Sequence, residues 1–267
     1  MITVIVVGAA GRMGSRLVAL IKESTALTLA GAIEGKGHRA LGHDAGESAG
    51  VGKIGVSITD DLQPLLERGQ VVIDFSAPEA TLAHLRAVAE HRRAMVIGTT
   101  GVNQAQFEEL KSLAGRVPCV FSPNMSVGVN LICKVIAEMA RTLGDEYDIE
   151  VIEAHHRLKK DAPSGTALKI ADVLARAVNR DLDQVGVYAR RGLIGERKNR
   201  EIGIQTIRAG DIVGDHTVLF GGMGERIEVT HRASNRDTFA RGALRAAQWI
   251  VKQPPGLYDM MDVLNLK

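Results

Sequence analysis

The sequence predicts an α/β protein: a doubly wound parallel sheet in the first half, joined to a second, α+β domain with a mixed, largely open sheet. Three observations carry this. Short apolar runs alternate with amphipathic helical stretches as far as about residue 126, the pattern of parallel strands linked by helical crossovers. Beyond that point a long helical stretch gives way to consecutive strand-like runs with no helix between them, as in an antiparallel or mixed sheet. Aromatic residues make up only 3% of the 267 residues while 45% are hydrophobic, so the core rests on Val, Ile, Leu and Ala, which suits layered α/β packing.

Ile2–Val7 is a continuous apolar run, the mark of a strand buried on both faces. After a glycine turn, Met13, Leu17, Leu20 and Ile21 share one helical face. Leu27–Ile33, 71–75, 95–97 and Pro118–Phe121 read as further strands. Ser76 with Glu79 predicts a capping box opening a helix that runs to about His91, and Asn103 with Gln106 predicts the cap of the next. In the second half, Val127–Leu143 reads as a long helix and 148–153 as a strand. The stretch 166–178 reads as a helix with Leu168, Ala171, Leu174, Ala175 and Val178 on one face. Strand-like runs follow at 202–209, 216–220 and 226–231, then a last helix at 238–251 that Pro254-Pro255 ends.

The net charge of +2 is too small to argue for nucleic acid, and aromatic platforms for stacking bases are scarce. The two cysteines, Cys119 in a strand and Cys133 in an apolar helix, are expected to be buried reduced thiols, consistent with a cytoplasmic protein. The N-terminal apolar run is too short for a membrane span and lacks the basic start of a signal peptide, so no membrane partner is expected.

Two motifs carry chemistry. Gly8-Ala9-Ala10-Gly11-Arg12-Met13-Gly14 lies between a strand and a helix, where glycine permits a tight turn and helix-start N–H groups stabilise a pyrophosphate. Ala10 replaces the usual middle glycine, so close phosphate approach falls to Gly11, and Gly14 serves helix–strand packing. Glu34 ends the second strand 20 residues after Gly14 and can accept from ribose hydroxyls. A Rossmann-like dinucleotide site follows, for NADH and/or NADPH. Glu34 favours NADH, whereas Arg12, Lys36 and Arg39 can neutralise a 2′-phosphate. Gly98, after another strand end, can meet the same ligand.

The second motif is Glu153-Ala154-His155-His156-Arg157-Leu158-Lys159-Lys160-Asp161-Ala162-Pro163-Ser164-Gly165-Thr166. Adjacent histidines in extended chain point apart, so no metal site is expected. A histidine can supply a proton near neutral pH, a lysine gives a fixed cation, and the turn into a helix offers N–H groups and the Thr166 hydroxyl to an anion. A small dicarboxylate suits this set. The other histidines look bland: His84 and His91 belong to a solvated helix face, and His216 and His231 to core or interface.

These motifs, with Gly98-Thr99-Thr100-Gly101, Asn124-Met125-Ser126-Val127-Gly128-Val129-Asn130 and Arg208-Ala209-Gly210-Asp211-Ile212-Val213-Gly214, resemble the dihydrodipicolinate reductase family over essentially the whole chain. The resemblance implies NAD(P)H-dependent reduction of 4-hydroxy-tetrahydrodipicolinate to tetrahydrodipicolinate, with loss of water, on the route to diaminopimelate and lysine. It implies proton donors at His155 and Lys159, and substrate contacts at His156, Lys159, Ser164, Gly165 and Thr166. Cofactor contacts are implied at Gly8, Ala9, Ala10, Gly11, Arg12, Met13, Glu34, Gly98, Thr99, Thr100, Ser122, Pro123, Asn124 and Met125. Gly35 stands where some members have an arginine facing the 2′-phosphate. The resemblance also implies a homotetramer, and a dinucleotide-binding domain of residues 1–126 completed by 236–267. Residues 127–235 then form the substrate-binding and oligomerisation domain.

Two other functions fit parts of the pattern: another nicotinamide-dependent dehydrogenase of amino-acid metabolism, and a non-catalytic dinucleotide sensor. The fold alone does not separate them, whereas a sensor has no use for His155 or Lys159.

Overall fold

Alternation along the first strand sets the layers of the sheet. In a computed structural model describing residues 1–267, Ile2–Val7 (β1) sends Val4 and Val6 into one buried cluster and Ile5 and Val7 into another, as side chains of period two must. The chain divides into two compact units, Met1–Val127 with Arg236–Lys267, and Gly128–Asn235.

The first unit continues from β1 through Arg12–Glu23 (α1), Leu27–Ile33 (β2), Ala45–Ser48 (α2), Ile58–Thr59 (β3), Gln63–Leu66 (α3), Val71–Asp74 (β4) and Pro78–Glu90 (α4). Ala94–Ile97 (β5), Gln104–Ala114 (α5) and Pro118–Phe121 (β6) complete its first pass. The seven strands lie in the order β12-β6-β5-β4-β1-β2-β3, where β12 is Gly256–Tyr258 near the C-terminus, and every pair is parallel. Successive strands run outward from β1 to one side and then resume at β4 on the other. The reversal between β1 and β4 opens the crevice where such sheets bind ligands.

One face of the sheet is covered by α1 and by a helix late in the chain, whose Ala240, Ala243, Ala246, Ala247 and Ile250 pack with Val4, Val6, Ile73, Val96 and Val120. The other face is covered by α4 and α5 through Leu82, Leu85, Val88 and Leu110, packed on Ile5, Val72, Met95, Ile97 and Cys119. Each large aliphatic side chain so buried contributes about 1.5–3 kcal/mol. Met125 approaches the late helix at Gly242, where any Cβ would overlap the Met125 carbonyl oxygen.

The second unit holds most of Val127–Leu143 (α6), then Asp148–His155 (β7), Gly165–Ala177 (α7), Leu182–Val185 (α8) and Gly186–Val187 (β8). Ile202–Arg208 (β9), Gly214–Gly221 (β10) and Arg226–Ala233 (β11) follow. The chain then enters Asp237–Ile250 (α9), β12 and Met260–Val263 (α10). The second sheet has the order β11-β10-β7-β9-β8; β7 is antiparallel to β10 and parallel to β9, so the sheet is mixed, as expected. Helices α6 and α7 cover one face, with Cys133, Ile136, Ile170 and Leu174 packed on Ile149, Val151, Ile204, Val218 and Phe220. The opposite face carries Ile152, Thr217 and Leu219 in adjacent register.

Several local expectations are revised. The helix expected to begin with a Ser76 cap has Ala77 at its N-cap and Pro78 in its first turn. Proline is pre-set for that position, and Ser76 is drawn away because its N–H donates to Asp74 Oδ1 at 2.8 Å. The reciprocal cap between Asn103 and Gln106 is present. On α7 the buried face is Ala167, Ile170, Ala171, Leu174 and Ala175, while Leu168 is exposed. No helix is long and apolar enough to cross a membrane.

Candidate active site

Strand register assembles the first group of candidate residues. Val7, Asp74, Ile97 and Phe121 are partners across β1, β4, β5 and β6. The residues that follow them, Gly8, Phe75, Gly98 and Ser122, therefore start four neighbouring loops at the C-terminal edge of the sheet. Gly8 turns the chain at a φ of +72°, and a Cβ there would stand 3.3 Å from the Phe75 carbonyl oxygen. A Cβ on Gly14 would overlap the Gly8 carbonyl oxygen, so glycine is required for α1 to approach the turn.

Helix α1 starts at Gly11 with no side-chain cap and no acidic residue in its first turn. Its leading N–H groups and the helix dipole are thus directed at an anion without internal competition. Glu34 Oε1 accepts from Ala10 N at 2.8 Å, which ties the turn to the end of β2, and Gly11 N donates to the Gly8 carbonyl oxygen at 3.0 Å, so Arg12 and Met13 carry the first N–H groups of the helix start. These features fit a dinucleotide: a glycine turn, an uncapped helix start and an acid placed beside them.

Gly98 packs against the Phe75 ring so closely that no Cβ could be accommodated. Thr99 is buried and its hydroxyl lies 2.8 Å from that of Thr81 on α4, whereas Thr100 is exposed. The Ser122 hydroxyl donates to the Asn124 carbonyl oxygen at 2.8 Å, and Ser126 N donates to Asn124 Oδ1 at 2.9 Å, which folds the loop holding exposed Pro123 over buried Met125. Phe75 belongs to this row but was not nominated from the sequence. Its position after a strand end, level with Gly8 and Gly98, is the signal that locates it.

The second group forms at the ends of β7, β9 and β10 in the second unit. Glu153 and His155 lie two residues apart on β7 and so share its helix-covered face, while His156 follows the strand, half-buried. His155 Nδ1 is 2.6 Å from Glu153 Oε2. A carboxylate only accepts, so Nδ1 carries the hydrogen and Nε2 is the ring nitrogen not engaged by Glu153. Glu153 has no solvent exposure and is surrounded by donors: Arg208 in a two-pronged pair at 2.8 and 2.9 Å, and Ser164 N at 2.9 Å. Burial pushes the Glu153 carboxyl up, but Arg208, His155 and the Ser164 N–H outweigh it and hold the group below its ordinary range. Burial pushes His155 down; Glu153 partly restores it, and Lys159 and Arg208 lower it again, so the net direction is down.

His216, opposite Glu153 on β10, stacks edge-on to His155 with ring centroids 5.2 Å apart, and its Nε2 is 3.1 Å from Ser164 Oγ. Burial, then the neighbouring His155, lowers His216 to about 4. It is buried, as expected of a core residue, and strand pairing sets it beside His155 and Ser164. Ser164, expected at the substrate, is occupied within the protein: it caps α7 through Ala167 N, its N–H serves Glu153, and it is buried. Gly165 and Thr166 occupy the first turn of α7, with Gly165 exposed. Lys159 Nζ is paired with Asp161 Oδ1 at 2.9 Å, which fixes a cation beside the imidazole. His84, expected on a solvated face, instead pairs with buried Asp74. No group of three or more His, Cys, Asp or Glu side chains is arranged to hold a metal ion.

Known proteins resolve which of the dehydrogenase-like families this is. Residues 2–125 match the family described as dihydrodipicolinate reductase, N-terminus, and residues 128–264 match dihydrodipicolinate reductase, C-terminus. The chain belongs to the dihydrodipicolinate reductase family. It is 57% identical to the 4-hydroxy-tetrahydrodipicolinate reductase of Syntrophobacter fumaroxidans and 54% identical to that of Syntrophus aciditrophicus, with 100% of each chain covered in both cases. In fold it resembles the dipicolinate-bound dihydrodipicolinate reductase from Paenisporosarcina sp. TG-14, with a TM-score of 0.75, 24% identity and 98% of both chains covered. Membership makes the chain an NAD(P)H-dependent oxidoreductase of diaminopimelate and lysine biosynthesis, and sets aside the sensor alternative.

Proposed function

We propose that this dihydrodipicolinate reductase reduces 4-hydroxy-tetrahydrodipicolinate to tetrahydrodipicolinate, with His155 and Lys159 as its proton donors. The observation that carries the assignment of His155 is its Nδ1–H bond to Glu153, which leaves Nε2 as the one ring atom able to pass a proton. The reduction adds one hydride and one proton to the substrate, and one water leaves. The dinucleotide supplies the hydride. Gly8, Ala9, Ala10, Gly11, Arg12 and Met13 hold its pyrophosphate side and Glu34 its ribose. Gly98, Thr99, Thr100, Ser122, Pro123, Asn124 and Met125 line its nicotinamide side.

The substrate is a small dicarboxylate. One carboxylate is held by the first-turn N–H of Gly165 with the Thr166 hydroxyl, where the helix dipole adds to the attraction. Lys159 and His156 meet it from the other side, with Ser164 supporting the turn from beneath. Lys159 exchanges its Asp161 partner for the substrate. The dinucleotide-binding role goes to residues 1–126 with 236–267, and the substrate and oligomer roles to 127–235. The oligomer is a homotetramer joined through the open face of the second sheet, where Ile152, Thr217 and Leu219 lie in adjacent register and Ile207 is exposed. We place the enzyme in the cytoplasm, in keeping with its two free cysteines.

The test is oxidation of NADH and NADPH by the purified protein, supplied with substrate made in place from pyruvate and aspartate semialdehyde by the preceding condensing enzyme. Turnover dependent on the condensation product is expected, with His155→Gln reducing it by about 10²–10⁴-fold at unchanged cofactor affinity. Lys159→Ala should harm both substrate KM and kcat. No turnover with either cofactor would overturn the assignment.

A further inference from the structure

Glu153 is the most heavily engaged carboxylate of the second unit. It has no solvent exposure, and its two oxygens take the Nδ1–H of His155, both terminal nitrogens of Arg208 and the N–H of Ser164, with the Thr206 hydroxyl at 3.3 Å. Arg208 is itself fixed, because its guanidinium also donates to the carbonyl oxygens of Ile207 and Asp161. The backbone joins in: Ala209 N donates to the His155 carbonyl oxygen at 2.9 Å and Arg157 N to that of Gly210 at 3.1 Å. On β10, Gly214 leaves room for the ring, since a Cβ there would stand 3.0 Å from His155 Nε2.

Replacing an ion pair of this kind by apolar packing is often neutral or stabilising, so stability alone does not account for it. We propose that Glu153, clamped by Arg208, is the positioning residue of the proton donor: it fixes His155 as the Nδ1–H tautomer and holds its ring in the space left by Gly214. The proposal deepens the assignment of His155 made above and rests on it.

The proton balance is simple. Before the reaction, Nδ1–H is bound to Glu153 and Nε2 carries the transferable proton. The Nε2–H bond breaks as the substrate takes the proton, and the neutral ring keeps its Nδ1–H bond to the carboxylate. Glu153 and Arg208 remain charged throughout, and no group beyond the hydride donor is required. The charged and titratable groups facing the ring are Glu153 from β7, Arg208 from β9, His216 from β10, and Lys159 and its partner Asp161 from the loop after β7. Of these, only the two carboxylates favour the protonated ring, and Asp161 is already paired with Lys159.

Glu153→Gln tests this, because an amide has one acceptor oxygen and cannot serve Arg208, Ser164 and His155 together. The expected result is a fall in kcat of about 10²-fold or more with cofactor affinity within about two-fold of wild type, and an alkaline limb of the pH–rate profile moved to lower pH. Arg208→Lys keeps the charge but loses the two-pronged geometry, and should cost about ten-fold in kcat. Nitrogen-15 spectra of the histidines in the wild-type enzyme should show neutral His155 as the Nδ1–H form.

Wild-type kcat and pH profile in Glu153→Gln, alongside an inactive His155→Gln, would overturn the positioning role and leave the proton donor standing. Full activity in His155→Gln would overturn the donor itself. Should Glu153→Gln not fold, a neutral wild-type His155 protonated at Nε2 and bare at Nδ1, or an Arg208→Lys enzyme with unchanged kcat and pH profile, would still overturn the proposal.

Discussion

His84 Nδ1 lies 2.8 Å from Oδ2 of Asp74, a carboxylate with no exposure to solvent at the end of β4. The other oxygen of Asp74 accepts from Ser76 N, so the carboxylate ties α4 to the turn that precedes it. Removing the histidine leaves a buried carboxylate with one partner too few. His84→Ala is expected to destabilise the protein by about 1–3 kcal/mol in urea unfolding, the usual cost of an unsatisfied buried polar group. A loss below about 0.5 kcal/mol would show that the pair contributes nothing.

Gly214 tests the geometry of the proposed proton donor from the opposite side. Its absent Cβ leaves His155 Nε2 only 3.0 Å from where a methyl group would be. Gly214→Ala should displace the ring by a few tenths of an ångström and lower kcat by about ten-fold, since small misplacements of a reacting group are costly. Steady-state kinetics with saturating cofactor would measure this, and an unchanged kcat would mean the ring tolerates the shift.

Glu34 has two tasks to separate. Its carboxylate holds Ala10 N at 2.8 Å, and in the proposed complex it also meets the ribose hydroxyls. Glu34→Ala should reduce kcat/KM for NADH by about ten-fold or more, as expected for a lost hydrogen bond to a charged group, and NADPH should suffer less. Parallel measurements with the two cofactors decide it. An equal loss with both would assign Glu34 to holding the turn alone.

Stability should depend on pH through the buried histidines. His216 is lowered to about 4 by burial and by its neighbour His155, while His155 and His231 are also lowered, chiefly by burial. Between the ordinary histidine value and about 4, the unfolded chain binds protons that the folded chain refuses. Stability is therefore fully present above about pH 6.5 and falls as pH drops toward 4. His216 alone accounts for on the order of 3 kcal/mol over that window. Urea unfolding from pH 7 to pH 4.5 would show the fall, and His216→Gln should flatten it. An unchanged slope in that variant would place the protonation elsewhere.

Much of the fold was legible in the sequence. Ile2–Val7, Leu27–Ile33, Pro118–Phe121 and Val127–Leu143 keep the bounds the apolar pattern assigned them, because local side-chain period and flanking turn residues decide where such elements start and stop. The Asn103–Gln106 cap formed for the same reason, being closed within one helical turn. Ser76 failed as a cap although its competitors stand only two residues away: Pro78 claims the first turn, and Asp74, held in place by the sheet, takes the serine N–H.

The sequence by itself determined the class of fold, the glycine turn, and the presence of two histidines and a lysine ahead of a helix, since each is a property of neighbours along the chain. The tertiary structure alone decided what those groups face. Glu153 and Arg208 are 55 residues apart and meet because β7 and β9 pair in parallel; Ser164 and His216 are 52 apart and meet through β10. Sequence spacing specifies which side of a strand a residue occupies. Strand register, set by the burial of Val151, Ile204 and Val218 beneath α6 and α7, specifies its neighbour across the sheet.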